Sequence, residues 1–181
     1  MRDIALHILD IAQNSISAGA TLVNIEVLEK TGNDRLILSV SDNGPGMDNE
    51  VIMKVADPFY TTRRTRKVGL GIPLLKQNAE QAGGSFTISS DRGKGTTVTA
   101  VFIHSHWDRP PKGDIPGVIS ILAGANPSMD FLYRHTVEDF EYIFDTREIK
   151  LVLEDVPLSD PEVIRYMKEM IEENLSEIAE T

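Results

Sequence analysis

The chain contains no cysteine. That excludes a disulfide-stapled scaffold, a thiolate metal site and a cysteine nucleophile. Its N-terminus lacks the basic, apolar and small-residue succession of a secretory leader, and no apolar run reaches the length of a membrane span. A cytoplasmic protein with no membrane partner is the expectation. Basic charge is scarce too: 18 Lys and Arg stand against 28 Asp and Glu, a formal net charge of -10. A general nucleic-acid binder needs a basic surface, so no nucleic-acid partner is expected. The sequence shows no internal repeat and no low-complexity segment. What is there is 181 residues, 41% apolar and 25% charged, enough for one packed domain and a small second one.

The stretch Ser39-Val40-Ser41-Asp42-Asn43-Gly44-Pro45-Gly46-Met47 organises the rest. Residues 35–40 alternate as a strand does, and the alternation stops at Asp42, where Gly44 and Gly46 follow. A strand therefore delivers a carboxylate to a sheet edge and then turns sharply through backbone that glycine makes permissive. Such a carboxylate accepts a hydrogen bond from an exocyclic amine of the kind an adenine ring carries. The plainer alternative is a polar turn after a strand.

Upstream, residues ~3–18 have helical periodicity, with Ile4, Ile8 and Ile11 on one apolar side and Gly19 as the stop. Asp3, His7, Asp10, Asn14 and Ser17 fall on a second, polar stripe. That stripe is either a solvated face or a place for chemistry. Asp10 has the chemistry of a general base that orients water, and Asn14 offers a neutral oxygen to a hard cation such as Mg²⁺. Residues 21–30 read as a strand that forms a hairpin with the strand ending at Asp42, and Asp48-Asn49 cap a short helix over ~49–56.

Residues 57–71 are polar and basic. Phe59 and Tyr60 suit an anchor at the base of this loop, while Thr61, Thr62, Thr65 and the four Arg/Lys of 63–67 suit closure over phosphates; the alternative is a solvated loop. Residues 60–68 have few apolar side chains to bury, which predicts a lid that orders with nucleotide. Gly69-Leu70-Gly71 opens a helix over ~70–82, and a glycine-flanked helix start offers free N–H groups to anions. No P-loop run is present, and Leu74 stands where a dinucleotide fingerprint needs its third glycine. Two more strands, 85–90 and 96–103, flank the Asp91–Gly95 turn. His104 and His106 follow, read as polar histidines leaving a strand in preference to a metal pair.

Pro110, Pro111, Gly113, Pro116 and Gly117 mark a linker over 107–117. Beyond it, 118–124 reads as helix, 131–137 and 140–145 as strands, 149–153 as a continued apolar pattern, and a last amphipathic helix starts at Pro161. The expected domains are thus 1–106 and a small α+β module, 118–181. The module's apolar set is small for a core of its own, so it is expected to dock on the first layer, to dimerise or to bind a protein partner.

Helix with Asp10 and Asn14, Asp42-x-Gly44-x-Gly46, basic loop with Phe59, then Gly69-x-Gly71: in this order the motifs resemble the Bergerat-type ATPase fold, the superfamily of gyrase B, the Hsp90 chaperone, histidine kinases and MutL. The resemblance covers about residues 7–103. It implies a two-layer α/β sandwich with a mixed, mostly antiparallel sheet and helices on one face, followed by the small α+β module. It implies ATP and Mg²⁺ as ligands, with Asn14 on the metal and phosphates, Asp42 on the adenine amino group, and Gly44 and Gly46 shaping that pocket. Phe59 would sit at the lid base with Thr62 in the lid, and Gly69, Leu70 and Gly71 would lie under the phosphates. Lys76 is placed near that pocket. Gly93-Lys94-Gly95-Thr96-Thr97 resembles the superfamily's later glycine-threonine segment, with Thr97 taken as the binding residue. Asp10 stands where the gyrase and MutL branch has a longer glutamate. The motif helix begins at residue 3, leaving no room for a sensor kinase's dimerisation helices, and His7 on that helix is a poor phospho-acceptor. The expected function is that of a stand-alone regulatory protein kinase or phosphotransferase acting on a protein partner, with an ATP-hydrolysing switch and a nucleotide-sensing module as alternatives.

Overall fold

The computed structural model describes residues 3–55 and 71–179. The first helix, α1 (Ile4–Ser17), starts where the Asp3 carboxylate accepts the Leu6 N–H at 2.8 Å. It buries Ile4, Ile8, Ile11 and Ala12, and the N–H groups of Gly19 and Ala20 close its end on the carbonyls of Ile16 and Ser15. Strands β1 (Leu22–Lys30) and β2 (Arg35–Asp42) form the expected hairpin around a 3-10 turn at Thr31–Asn33. Next come α2 (Asn49–Val55), α3 (Gly71–Gln81), β3 (Ser85–Asp91) and β4 (Gly95–Ile103). After the Pro/Gly-rich stretch follow α4 (Ile115–Ala125), β5 (Asp130–Val137), β6 (Phe140–Asp145), α5 (Thr146–Leu153) and α6 (Pro161–Ala179). None of these helices is long and apolar enough to cross a membrane.

The six strands form one sheet in the order β3-β4-β2-β1-β5-β6. Every neighbouring pair is antiparallel except β1 with β5. Burial follows the two-residue period: Val23, Ile25 and Val27 of β1, Leu36, Leu38 and Val40 of β2, and Phe131 and Tyr133 of β5 all face the helices. In the helical layer α1 lies between α3 and α4, and α4 lies against α6. The fold is thus the two-layer α/β sandwich with a mixed, mostly antiparallel sheet.

The residues after 106 do not build a sheet of their own. β5 runs beside β1 from Leu22↔Asp130 to Glu29↔Val137, so the hairpin strand β1 becomes an interior strand. Phe131, Phe144, Ile119 and Met167 share one apolar cluster with Ile8 and Val23. The 107–117 stretch is itself tied down: the carbonyls of Pro111 and Lys112 accept the N–H groups of Ile4 and Ala5 at 2.9 and 3.0 Å, satisfying donors that a helix start leaves open. The apolar run at 149–153 belongs to α5, a helix that the Asp145 carboxylate caps through the Arg147 N–H at 2.9 Å.

A buried polar cluster joins the two segments at the Lys30 end of β1. Glu29, 5% exposed, accepts hydrogen bonds from His135 Nε2 of β5 at 2.7 Å and Lys112 Nζ at 3.0 Å; His104 Nε2 stands 3.5 Å away. The Tyr133 hydroxyl completes the chain on His135 Nδ1 at 2.6 Å. Burial works to raise the pKa of Glu29, but the hydrogen bonds from His135 and Lys112 outweigh it and bring it from 4.5 to about 2. A carboxyl lowered in the folded state adds stability that is present above its unfolded value and lost as pH falls toward its folded value.

Two outcomes follow. Glu29→Gln should cost roughly 3 kcal/mol in urea unfolding at pH 7, and its deficit against wild type should shrink between pH 5 and pH 2. A deficit that does not change with pH would contradict the charge-pairing account. A chain ending at His106 leaves β1 without β5 and α1 without α4. Each lost large side chain such as Phe131 or Phe144 removes roughly 2–3 kcal/mol of burial. This shortened chain should therefore melt well below the full chain, and equal melting temperatures would mean that 107–179 is a separate unit.

Candidate functional site

β2 ends on the helix-covered face, because Asp42 continues the parity of Leu36, Leu38 and Val40. Its carboxylate accepts the Ser15 Oγ–H from the last turn of α1 at 2.6 Å on Oδ2, and the Gly44 N–H at 2.9 Å on Oδ1. The next side chain, Asn43, locks the turn to the start of β1: its Oδ1 accepts the N–H groups of Thr21 and Leu22 at 2.8 and 2.9 Å, and its Nδ2 donates to Thr21 Oγ1 at 2.8 Å. On the other side the turn rests on the β3–β4 turn. The Pro45 carbonyl accepts the Gly93 N–H at 2.7 Å, and Ser90 Oγ accepts the Met47 N–H at 2.8 Å. Gly46 has φ +69°, and a Cβ there would overlap the Asp91 carbonyl.

The polar stripe of α1 is solvated at Ser17 but not along its length. His7 is fully buried, with Nε2 2.8 Å from Asn78 Nδ2 of α3. Burial brings its imidazole down to about 4, so the ring is neutral at physiological pH. One turn on, the Asp10 carboxylate lies against the first residue of α3: a Cβ on Gly71 would overlap it. Asn14 follows one further turn along α1, half-buried. The structure therefore brings Asp10 and Gly71 together where α1 meets the start of α3, with Asn14 one turn further along α1, and places Asp42, Gly44 and Gly46 at the end of β2 and in the turn after it. Ser15, next to Asn14 in the chain, ties α1 to Asp42. The Asn14 side chain carries a neutral oxygen of the kind that suits a Mg²⁺ ion taking most of its ligands from phosphates and water.

Thr97 is displaced from its expected place. Register pairs Asp42 with Thr96, and Thr97 pairs with Ser41 on the opposite face of the sheet. A one-residue offset in a strand exchanges faces, so Thr96 shares the face of Asp42 and Thr97 does not. Thr96 Oγ1 lies 2.9 Å from Ser90 Oγ, within the turn that supports Met47. Lys76 is half-buried in the second turn of α3. Phe59, Thr62, Gly69 and Leu70 lie outside the described residues. His104 and His106 diverge, the first toward Glu29 and the second accepting the Asp108 N–H at 3.1 Å on Nδ1. Ser15, Asn43 and Ser90 were not legible as site residues, because each acts through a partner far away in sequence or through the turn's own backbone.

Residues 2–105 match the family described as histidine kinase-, DNA gyrase B-, and HSP90-like ATPase. A putative sensor protein of Shewanella frigidimarina is 33% identical over 103 residues, a match covering 56% of this chain and 16% of that protein. The sensor histidine kinase ZraS of Salmonella typhimurium is 32% identical over 93 residues, 51% of this chain and 20% of its own length. The chain thus spans a fifth or less of these relatives. Among solved structures, the Aquifex aeolicus MutL ATPase domain complexed with ADP is similar with a TM-score of 0.51 at 17% identity, covering 85% of this chain and 70% of that one. The N-terminal domain of a DNA repair protein gives 0.54 at 17% identity, with 79% and 52% covered. Both coverages exceed the share of the chain in residues 2–105, so the likeness of fold continues past the matched segment.

The contact of Gly46 with the β3–β4 turn yields a matched pair of variants. Gly93 also has positive φ, +77°, but open space around its missing Cβ. Gly93→Ala should cost roughly 1 kcal/mol for its backbone alone. Gly46→Ala should cost clearly more in denaturant unfolding, because the Asp91 carbonyl must also move. Equal losses would show that the turn does not rest on that carbonyl.

Proposed function

The chain belongs to the histidine kinase-, DNA gyrase B-, and HSP90-like ATPase family, and from that premise we propose that it binds Mg·ATP and passes the γ-phosphoryl group to a protein partner. The observation that carries this reading is the placement of Asp42. Its carboxylate stands at the end of β2 with one donor already on each oxygen and further acceptor capacity for an exocyclic amine. In this reading Asp42 takes the adenine amino group, Gly44 and Gly46 shape the base pocket, and Asn14 holds Mg²⁺ and phosphate oxygens. Mg²⁺ held there would supply charge neutralisation at the phosphates. Gly71 brings the start of α3 up to the phosphates, where free N–H groups favour negative charge.

Asp10 accepts the proton of the attacking group. As the partner's nucleophile bonds to the γ-phosphorus, the bond from that phosphorus to the β,γ-bridging oxygen breaks, and ADP leaves. Most of the rate comes from positioning and charge, as for phosphoryl transfer generally. With water as the attacking group the same arrangement hydrolyses ATP, and the contact of Asp10 with Gly71 supports that second reading equally. The short connection, 22 residues between Gly46 and Gly69, favours transfer to a partner over a large chaperone-type closure.

Asp42→Asn should abolish ATP binding in a folded protein, since the carboxamide places a donor where the base needs an acceptor. Asn14→Ala should weaken Mg·ATP much more than metal-free ATP. Asp10→Asn should bind ATP nearly normally and turn over roughly 10²–10⁴-fold more slowly. Incubation of the wild type with γ-labelled ATP and cell extract separates the readings: label on a protein supports transfer, and released phosphate alone supports the switch. A folded Asp42→Asn variant with unchanged affinity in calorimetry would overturn the site.

A further inference from the structure

We propose that Ser15 is a positioning residue that sets the preference of this site for a 6-amino over a 6-oxo purine; the inference rests on the reading of Asp42 as the base acceptor. Ser15 is 4% exposed in the last turn of α1, and its Oγ lies 2.6 Å from Asp42 Oδ2. Its other acceptor, the Ile11 carbonyl, is at 3.4 Å, so the short bond to Asp42 takes the hydroxyl proton. The Gly44 N–H occupies the second oxygen at 2.9 Å. One donor on each oxygen fixes the plane of the carboxylate and leaves only acceptor capacity facing a ligand. An adenine amino group finds its match there. A 6-oxo purine presents a carbonyl oxygen to a carboxylate oxygen, with no proton between them.

Without the Ser15 hydroxyl this geometry loosens in a specific way. The carboxylate is free to turn about its terminal torsion, and the space left by the hydroxyl admits water. A water molecule donates or accepts as the ligand requires, so it bridges a carbonyl as well as an amine. The fold does not need this hydroxyl: the end of α1 is closed by the N–H groups of Gly19 and Ala20, and the turn after Asp42 is held by Asn43 and the β3–β4 turn. Ser15 therefore acts through Asp42 and touches the base only indirectly.

The test is the affinity of the full chain for ATP and for inosine triphosphate, both with Mg²⁺, in the wild type and in Ser15→Ala. The wild type should prefer ATP. Ser15→Ala should weaken ATP about tenfold and inosine triphosphate hardly at all, so that the ratio narrows. Ser15→Thr, which keeps the hydroxyl, should restore the ratio. Ser15→Cys, close in size with a weak donor, should narrow it as alanine does and serves if the alanine variant does not fold. A ratio unchanged in Ser15→Ala and Ser15→Cys, whether both affinities hold or both fall together, overturns the role of Ser15 alone. A wild type that binds ATP no better than inosine triphosphate overturns the reading of Asp42 as well.

Discussion

A single carboxylate, Asp42, is bonded from two directions at the end of β2, and its orientation depends on those bonds. Ser15 reaches it from the helical layer, and the Gly44 N–H from the turn that follows. Each donor requires a separate part of the fold to be in register. Ser15 is in place because α1 packs Ile8, Ile11 and Ala12 on the sheet and closes at Gly19. Gly44 is in place because Asn43 clamps the turn to Thr21 and Leu22, while Pro45 and Met47 rest on the neighbouring turn. Three elements converge on the end of β2, through the Ser15 hydroxyl, the Asn43 side chain and backbone groups of the two turns.

The second half of the chain bears on this site through the sheet. Pairing β5 to β1 makes β1 an interior strand, and β1 carries both the Thr21–Leu22 anchor at one end and Glu29 at the other. Packing of α4 against α1, together with the carbonyls of Pro111 and Lys112 on the first turn of α1, steadies the helix that presents Asp10, Asn14 and Ser15. The Glu29–His135–Lys112 cluster buries charge, which by itself seldom stabilises more than apolar packing of equal volume. Its consequence lies in its removal: each missing partner leaves the buried Glu29 carboxylate with fewer of the donors that hold it between the two segments.

Much of this was legible in the sequence, and the reasons differ by residue. Asp42, Gly44 and Gly46 stand in a contiguous pattern, and Asp10 and Asn14 share a helical repeat, so local spacing reveals them. The hairpin of β1 and β2 and the long last helix followed from alternation and amphipathicity. That Thr96 and not Thr97 shares the face of Asp42 was not legible, because register is decided by pairing across the sheet and sequence alone does not choose between adjacent threonines. Residues 149–153 were ambiguous because a short apolar run suits either element, and the Asp145 cap decided for helix. Ser15 and the Glu29–His135 pair depend on partners 27 and 106 residues away, which no local pattern records.

The central proposal is that Asp42 accepts a hydrogen bond from the adenine amino group. Calorimetric titration of the wild type with ATP and with N6,N6-dimethyl-ATP, which has the same phosphates and ring but no proton to donate at that nitrogen, tests it most directly. ATP should bind with a measurable enthalpy, and the dimethyl analogue should bind at least about tenfold more weakly. Equal affinity for the two would contradict the account.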